Sequence, residues 1–138
     1  MTGQSFLARR IAILALVLVA LAPCLSRAQP KLPGHVSVQR DIVYGAEEDA
    51  KLDIYMPKEL DGSGRPLPTV VWIHGGGWAG GSKAYVAQYA AALAAGGFVV
   101  AAIDYSLPPK EIYPTPVRQA FEAFAFLRRE ARNFHVDP

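Results

Sequence analysis

The chain has 138 residues; 14 are basic, but Arg9, Arg10 and Arg27 lie in the first 28, so residues 29–138 carry 11 basic and 12 acidic side chains, a formal charge of −1. Without a basic run, residues 29–138 lack the positive surface that nucleic-acid binding requires. The one cysteine, Cys24, also precedes them, which excludes a disulfide or a thiolate metal site from this part of the chain.

The first 28 residues have the pattern of a secretory signal peptide. Two arginines precede the apolar run Ile11–Ala22, and the small residues Ser26 and Ala28 form a cleavage site. The run is shorter than the roughly 20 apolar residues of a membrane-spanning helix. We predict that residues 1–28 are removed on export, leaving residues 29–138 as a periplasmic or secreted domain without stable membrane association. An uncleaved N-terminal anchor is the alternative.

The first elements of residues 29–138 are predicted to be strands. Val36–Tyr44 and Lys51–Met56 alternate between apolar and polar residues around the polar segment 45–50, which predicts an antiparallel hairpin. Thr69–His74, with the sequence TVVWIH, is apolar on both faces. Such a run is typical of a strand buried on both sides of a sheet.

A helix and a second buried strand follow. Ser82 is suited to cap the start of the helix, and Gly96 and Gly97 are suited to end it. Phe98–Ile103 is again continuously apolar and predicts the second buried strand. The apolar positions of the helix are Val86, Tyr89, Ala90 and Leu93.

A second helix is predicted near the end of the chain, with Thr115 as its cap and Pro116 as its first residue. The order hairpin, strand, helix, strand, helix predicts an α/β fold, in which the antiparallel hairpin leads into a parallel sheet flanked by helices. The apolar stripe expected to face that sheet consists of Val117, Ala120, Phe121, Phe124 and Leu127.

A glycine-rich motif, His74–Trp78, directly follows the first buried strand. Consecutive glycines let backbone N–H groups approach a ligand closely. Such donors serve either a phosphate at a helix N-terminus or the oxyanion of an acyl-transfer transition state. A tight turn without a ligand is the third interpretation, although three glycines in succession exceed what one turn needs.

The spacing alone also fits a dinucleotide site. Gly75, Gly77 and Gly80 satisfy G-x-G-x-x-G after a strand, and Asp104 ends the next strand. Against this interpretation, Trp78 is bulky where the loop would close around a pyrophosphate, and an exported protein meets little nicotinamide cofactor. We therefore expect no cofactor, and no metal ion, at this site.

Three longer strings together resemble the branch of the α/β-hydrolases that contains hormone-sensitive lipases and feruloyl esterases. They are VVWIHGGGWAGGSK, AAIDYSLPP and YPTPVRQAFEAFAFLRREARNFHVDP. The resemblance implies an esterase or lipase acting on a small-molecule ester, with the chain as the N-terminal part of its domain.

The same resemblance assigns roles to the glycine motif. It implies that Gly76 and Gly77 donate backbone N–H groups to the oxyanion and that Gly75 shapes the turn. His74 would brace the loop by hydrogen bonds rather than act as a base, and Trp78 would wall the acyl pocket.

Four residues further along belong to the supporting structure that the resemblance implies. Asp104 and Tyr105 would close the second buried strand. The family commonly has an arginine at the position of Ser106 and an aspartate near Gln119, so we expect the polar contacts behind the glycine motif to differ here.

The catalytic triad of such an enzyme is not found in these residues. No G-x-S-x-G elbow for a nucleophilic serine occurs, and Ser82 is better explained as a helix cap. We expect the serine, histidine and acid to lie beyond Pro138, and the chain alone to be inactive. His35 and His135 are expected to be solvent-facing loop residues. A noncatalytic exported binding module is the alternative function.

Overall fold

The computed structural model describes residues 31–60 and 65–138. The expected signal peptide, residues 1–28, lies outside the described residues, so its removal stays a prediction. None of the helices in the described ranges has the length and apolar character of a membrane-spanning segment.

Four strands form one mixed sheet. Strands β1 (Val36–Val43) and β2 (Lys51–Pro57) are the predicted antiparallel hairpin, and β2 also pairs antiparallel with β4 (Val99–Ile103). Strand β3 (Thr69–Ile73) pairs with β4 in parallel, so the order across the sheet is β1-β2-β4-β3. The predicted α/β architecture is confirmed.

Helix α1 (Ala87–Ala95) covers one face of the sheet and follows a 3₁₀ turn over Lys83–Val86. The predicted cap is confirmed, because the Ser82 hydroxyl accepts a hydrogen bond from the Ala84 N–H. Tyr89, expected on the buried side, is exposed. A 3₁₀ turn has three residues per turn instead of 3.6, so the turn before α1 changes which side chains of the helix face the sheet. The buried positions of α1 are Ala87, Ala90, Ala91 and Ala94.

Helix α2 (Thr115–Arg129) covers the other face. Thr115 is its first residue rather than its cap, since Pro114 holds the cap position. The Thr115 hydroxyl donates to the Glu111 carboxylate instead of capping the helix. The predicted apolar stripe is wrong at Phe121 and Phe124, which are 71% and 47% exposed, whereas Leu127 is buried and Ala120 packs against the core as predicted. The buried positions are Pro116, Gln119, Ala123, Phe126 and Leu127.

Gln119 sets the rotation of α2. Both Gln119 and Ser106 are fully buried. The Ser106 N–H donates to Gln119 Oε1 at 2.7 Å, and Gln119 Nε2 donates to Ser106 Oγ at 3.0 Å. A neutral, mutually satisfied pair therefore stands where the family commonly has an arginine and an aspartate, so the polar contacts behind the glycine motif differ as expected. Buried polar groups need such partners. Gln119 therefore lies on the buried side of α2, where the apolar pattern predicts its neighbours instead.

The open side of β3 is the least covered part of the sheet. Both faces of β3 contact the core as predicted, because Val71 packs against one core cluster and Val70 and Trp72 pack against the other. The burial is incomplete, however, since all five residues are only partly buried or exposed and Ile73 is 40% exposed. Among the described residues, β4 is the one strand that pairs with β3.

A short parallel bridge forms next to the start of β3. The Leu67 N–H donates to the His135 carbonyl at 2.7 Å, and the Asp137 N–H donates to the Leu67 carbonyl at 3.0 Å. His135 is therefore partly buried rather than solvent-facing, whereas His35 is exposed as predicted. The segment 135–137 runs parallel to the chain that enters β3.

Gln119→Leu is expected to lower the free energy of unfolding by about 1–3 kcal/mol, because it leaves the buried N–H and hydroxyl of Ser106 without a partner. Gln88→Leu, the same change on the exposed side of α1, should stay within about 0.5 kcal/mol. Urea unfolding followed by circular dichroism measures both. Equal effects of the two substitutions would contradict the role given to the Ser106–Gln119 pair.

We expect the chain to associate as its concentration rises, because the open edge of β3 presents unpaired backbone groups and apolar side chains. Light scattering across the micromolar range measures this. Ile73→Lys places a charge at that edge and should reduce association, whereas Ala92→Lys, on exposed α1 surface, should not. A monomer with a sharp cooperative melt at every concentration would contradict the prediction.

Candidate active site

The glycine-rich segment lies at the carboxyl end of the parallel strands. Residues 75–82, here called the glycine loop, leave β3 through the buried His74. Asp104 and Tyr105 leave β4 at the same edge, since β3 and β4 are parallel. In open α/β sheets this edge is where ligands bind.

His74 is held rigidly beneath the glycine loop. Its Nδ1 lies 2.9 Å from the Gly75 carbonyl oxygen, and because a carbonyl only accepts, Nδ1 carries the hydrogen. The His74 carbonyl accepts a 2.8 Å hydrogen bond from the Tyr105 hydroxyl, and the two rings stack at 4.3 Å. These contacts are the kind that the resemblance implies for a brace.

Tyr105 remains a hydrogen-bond donor at neutral pH. Burial and the nearby Asp104 carboxylate raise the pKa of the Tyr105 phenol above its usual value. The protonated hydroxyl therefore continues to donate to the His74 carbonyl. This hydrogen bond fixes His74, the residue immediately before the glycine loop.

The backbone of Gly76 and Gly77 has a conformation that favours glycine. Gly76 has φ 137° and Gly77 has φ 62°, both in the region that side chains disfavour. A Cβ on Gly76 would collide with the Gly80 carbonyl, whereas Gly75 faces open space and has no positive φ. The backbone conformation that favours glycine therefore occurs at the two residues expected to donate to an oxyanion.

The N–H groups of Gly76 and Gly77 have no hydrogen-bond partner among residues 31–60 and 65–138. Both residues are solvent-exposed. Backbone donors are almost always paired unless they face solvent or a ligand. Two adjacent donors are thus available to an external acceptor.

The first helical turn after the glycine loop offers no comparable donors. The Lys83 N–H donates to Asp104 Oδ1 at 2.6 Å, and the Ala84 and Tyr85 N–H groups donate to Ser82. A pyrophosphate would need these helix N-terminal donors, and a ribose would need the Asp104 carboxylate. Because the helix N-terminal donors and the Asp104 carboxylate already bond to each other or to Ser82, the geometry does not favour the dinucleotide interpretation.

An apolar cavity of about 390 Å³ lies beside the glycine loop. Trp78, the residue after Gly77, forms one wall, and its ring packs against Tyr105 at 5.4 Å. The cavity has no charged side chain in its lining, as is typical of sites for apolar groups. Its other lining residues are Pro108, Ile112, Tyr113, Pro116 and Val117.

Two residues of this region escaped sequence reasoning. Gly81 has φ 113°, and a Cβ there would collide with the His74 ring and the Gly75 carbonyl. Lys83 is buried against carboxylates from three other segments. The sequence did contain a signal for Gly81, because it belongs to a second pair of glycines with Gly80. It contained no signal for Lys83, which is simply a lysine that follows a cap residue.

In the part of the chain that the structure describes, no group of three or more metal-ligating side chains is arranged to hold a metal ion.

Comparisons with known proteins point to esterases. The chain is 33% identical over 101 residues to a probable isoprenylcysteine alpha-carbonyl methylesterase of Arabidopsis thaliana, covering 73% of this chain and 21% of that protein. Esterase B of Lactobacillus rhamnosis superposes with a TM-score of 0.71 at 26% identity, over 94% of this chain and 43% of that one. A structure of the same esterase inhibited by a tributyrin phosphonate also superposes at 0.71, with 25% identity over 92% and 43% of the two chains.

The chain spans about a fifth of the plant relative and less than half of the bacterial esterase. Residues 52–138 match the BD-FAE family. The chain therefore belongs to the BD-FAE family, within the esterase and lipase type of α/β-hydrolases.

Proposed function

We propose that this chain supplies the oxyanion-binding part of a carboxylic ester hydrolase. The observation that carries the proposal is that the Gly76 and Gly77 N–H groups, at the carboxyl end of β3, have no hydrogen-bond partner among the described residues, and that both residues are exposed. The membership of the chain in an esterase family supports it.

The proposed chemistry is acyl transfer through a tetrahedral intermediate. A serine hydroxyl attacks the ester carbonyl carbon and passes its proton to a histidine that, like the serine, lies outside these 138 residues, while the carbonyl oxygen gains negative charge as the tetrahedral intermediate forms. Collapse of the intermediate expels the alcohol, which takes up that proton, and water then hydrolyses the acyl-serine. The Gly76 and Gly77 N–H groups donate to the charged oxygen of the intermediate, and the loss of one such donor typically raises the barrier by about 3–4 kcal/mol. His74 does not take the serine proton in this scheme, because its side chain is buried beneath the glycine loop and its Nε2 lies 3.7 Å from Asp104 Oδ1.

The substrate class is a small-molecule ester with an apolar group next to its carbonyl. Trp78 follows Gly77 directly and lines the apolar cavity. An ester whose carbonyl binds at the glycine loop would therefore place the group next to that carbonyl in this cavity. The phosphonate bound by the Lactobacillus esterase is a tetrahedral mimic of such an intermediate, which makes phosphonates suitable probes.

The nucleophile in this proposal comes from outside these 138 residues. Ser82 is engaged in capping the Ala84 N–H, and no G-x-S-x-G elbow occurs. The bridge between Leu67 and Val136 starts a parallel pairing on the open side of β3. In a longer protein, a strand continuing this pairing would end beside the glycine loop, where a serine elbow is needed.

We predict no serine-reagent-sensitive hydrolysis of p-nitrophenyl acetate by the chain alone, because an oxyanion site without nucleophile and base retains only a small residual effect. Joining residues 31–138 to the remaining part of Lactobacillus esterase B should restore hydrolysis. In that fusion, Gly76→Ala should lower kcat by about 10²–10³-fold, because its Cβ displaces the loop from Gly80.

Gly80→Ala is the matched control, since a Cβ on Gly80 meets no atom within 4 Å and its φ is not positive. It should leave kcat near that of the unaltered fusion. Serine-reagent-sensitive turnover by the chain alone would contradict the proposed source of the nucleophile. A folded fusion that loses no activity on Gly76→Ala would contradict the proposed oxyanion role.

A further inference from the structure

Lys83 is a buried cation surrounded by carboxylates. Its Nζ lies 2.7 Å from Asp41 Oδ1, 2.8 Å from Asp53 Oδ1 and 3.9 Å from Asp104 Oδ2. The side chain is only 10% exposed, and that of Asp53 is 2% exposed. Lysine is rarely buried unless it is paired, so its position has a specific cause.

The three carboxylates come from separate segments. Asp41 lies in a bulge of β1 with φ 56°, where its N–H donates to Asp53 Oδ1 at 3.0 Å. Asp53 lies in β2 and also pairs with Arg40 at 3.2 Å. Asp104 follows β4. The Lys83 ammonium thus ties the hairpin and the end of β4 to the segment that follows the glycine loop.

Lys83 is charged at neutral pH. Burial by itself lowers the pKa of the Lys83 ammonium, but its hydrogen bonds to Asp41 and Asp53 outweigh burial and raise that pKa above its usual value. The hydrogen bond from Lys83 likewise holds the pKa of the Asp41 carboxyl below its usual value. Both partners therefore keep the charges that hold them together.

The backbone of Lys83 connects this cluster to the candidate active site. Its N–H donates to Asp104 Oδ1 at 2.6 Å, and the same oxygen lies 3.7 Å from His74 Nε2. Two residues earlier, Gly81 packs so closely on His74 and Gly75 that it has no room for a Cβ. A displacement of Lys83 would therefore pass to Gly81 and from there to Gly75 and Gly76.

We infer that Lys83 is a positioning residue for the oxyanion site. Its ammonium, held by Asp41, Asp53 and Asp104, fixes the distal end of the glycine loop, so that the Gly76 and Gly77 N–H groups keep one direction. The inference rests on the proposed function for its consequence in catalysis. The positioning itself is a property of this chain and is measured without catalysis.

The chain provides two fluorine-labelling sites that report on the loop and on the sheet. Its two tryptophans are Trp72 and Trp78. Trp78 lies in the glycine loop against Tyr105, and Trp72 lies in β3 against Tyr89. After 5-fluorotryptophan incorporation, each gives one ¹⁹F resonance, and the Trp72 resonance serves as the internal control for intact folding.

Lys83→Met keeps the length of the side chain and removes the charge. It is expected to shift or broaden the Trp78 resonance while the Trp72 resonance stays in place, and Lys83→Arg should restore most of the Trp78 signal. Lys110→Met is the matched control, because Lys110 pairs with Glu48 and Asp49 at the surface. It should move neither resonance.

Asp41→Asn decides the question if Lys83→Met does not fold. Asparagine tolerates the positive φ at this position, and the Asp41 side chain is largely exposed, so this variant should fold. It weakens the hold on Lys83 and should shift the Trp78 resonance in the same direction as Lys83→Met, by a smaller amount. An unmoved Trp78 resonance in the folded variant, or equal shifts of both tryptophans, would overturn the inference.

Kinetics in the fusion with esterase B separate this inference from the proposed function. Lys83→Met should lower kcat by about 100-fold, the cost typical of a 1 Å misplacement. A hydrolytically active fusion with unchanged kcat overturns the positioning role alone. A folded, active fusion that loses no activity on Gly76→Ala, while the Trp78 resonance of the 138-residue chain still responds to Lys83→Met, overturns the proposed function alone.

Discussion

Both ends of the glycine loop are fixed by the two residues that follow β4. The Tyr105 hydroxyl donates to the His74 carbonyl, and the Asp104 carboxylate accepts from the Lys83 N–H. Because β3 and β4 are parallel and in register, these residues emerge beside the loop without any long connection. The Gly76 and Gly77 N–H groups, which have no hydrogen-bond partner among the described residues, lie between these anchors. Their availability therefore depends on the β3–β4 pairing.

The loop combines a rigid support with an open rim. Its base contains the stacked His74 and Tyr105 rings and the charged cluster around Lys83, whereas Gly75–Ala79 are exposed. Preorganised donors stabilise a transition state because they need no reorganisation when charge develops. The buried Ser106–Gln119 pair adds support by neutral hydrogen bonds in place of the charged pair common in the family. A neutral pair avoids the desolvation penalty of buried charges.

Much of the fold was predictable because hydrophobic periodicity and glycine placement act locally. The hairpin, both later strands and the Ser82 cap follow from such patterns. The buried face of α2 did not, because the hydrogen bonds of Gln119 depend on Ser106, thirteen residues away. Lys83 was missed for the same reason: its carboxylate partners are brought together by the β1 bulge and the sheet order, and no spacing in the sequence records this.

The most direct measurement of the central claim is a crystal structure of the esterase B fusion inhibited by a phosphonate. If Gly76 and Gly77 form the oxyanion site, the phosphonyl oxygen will lie about 2.7–3.1 Å from the backbone nitrogens of both residues, the distance expected for oxyanion donors. A phosphonyl oxygen bound by other donors, with these two N–H groups bonded to neighbouring backbone, would contradict it.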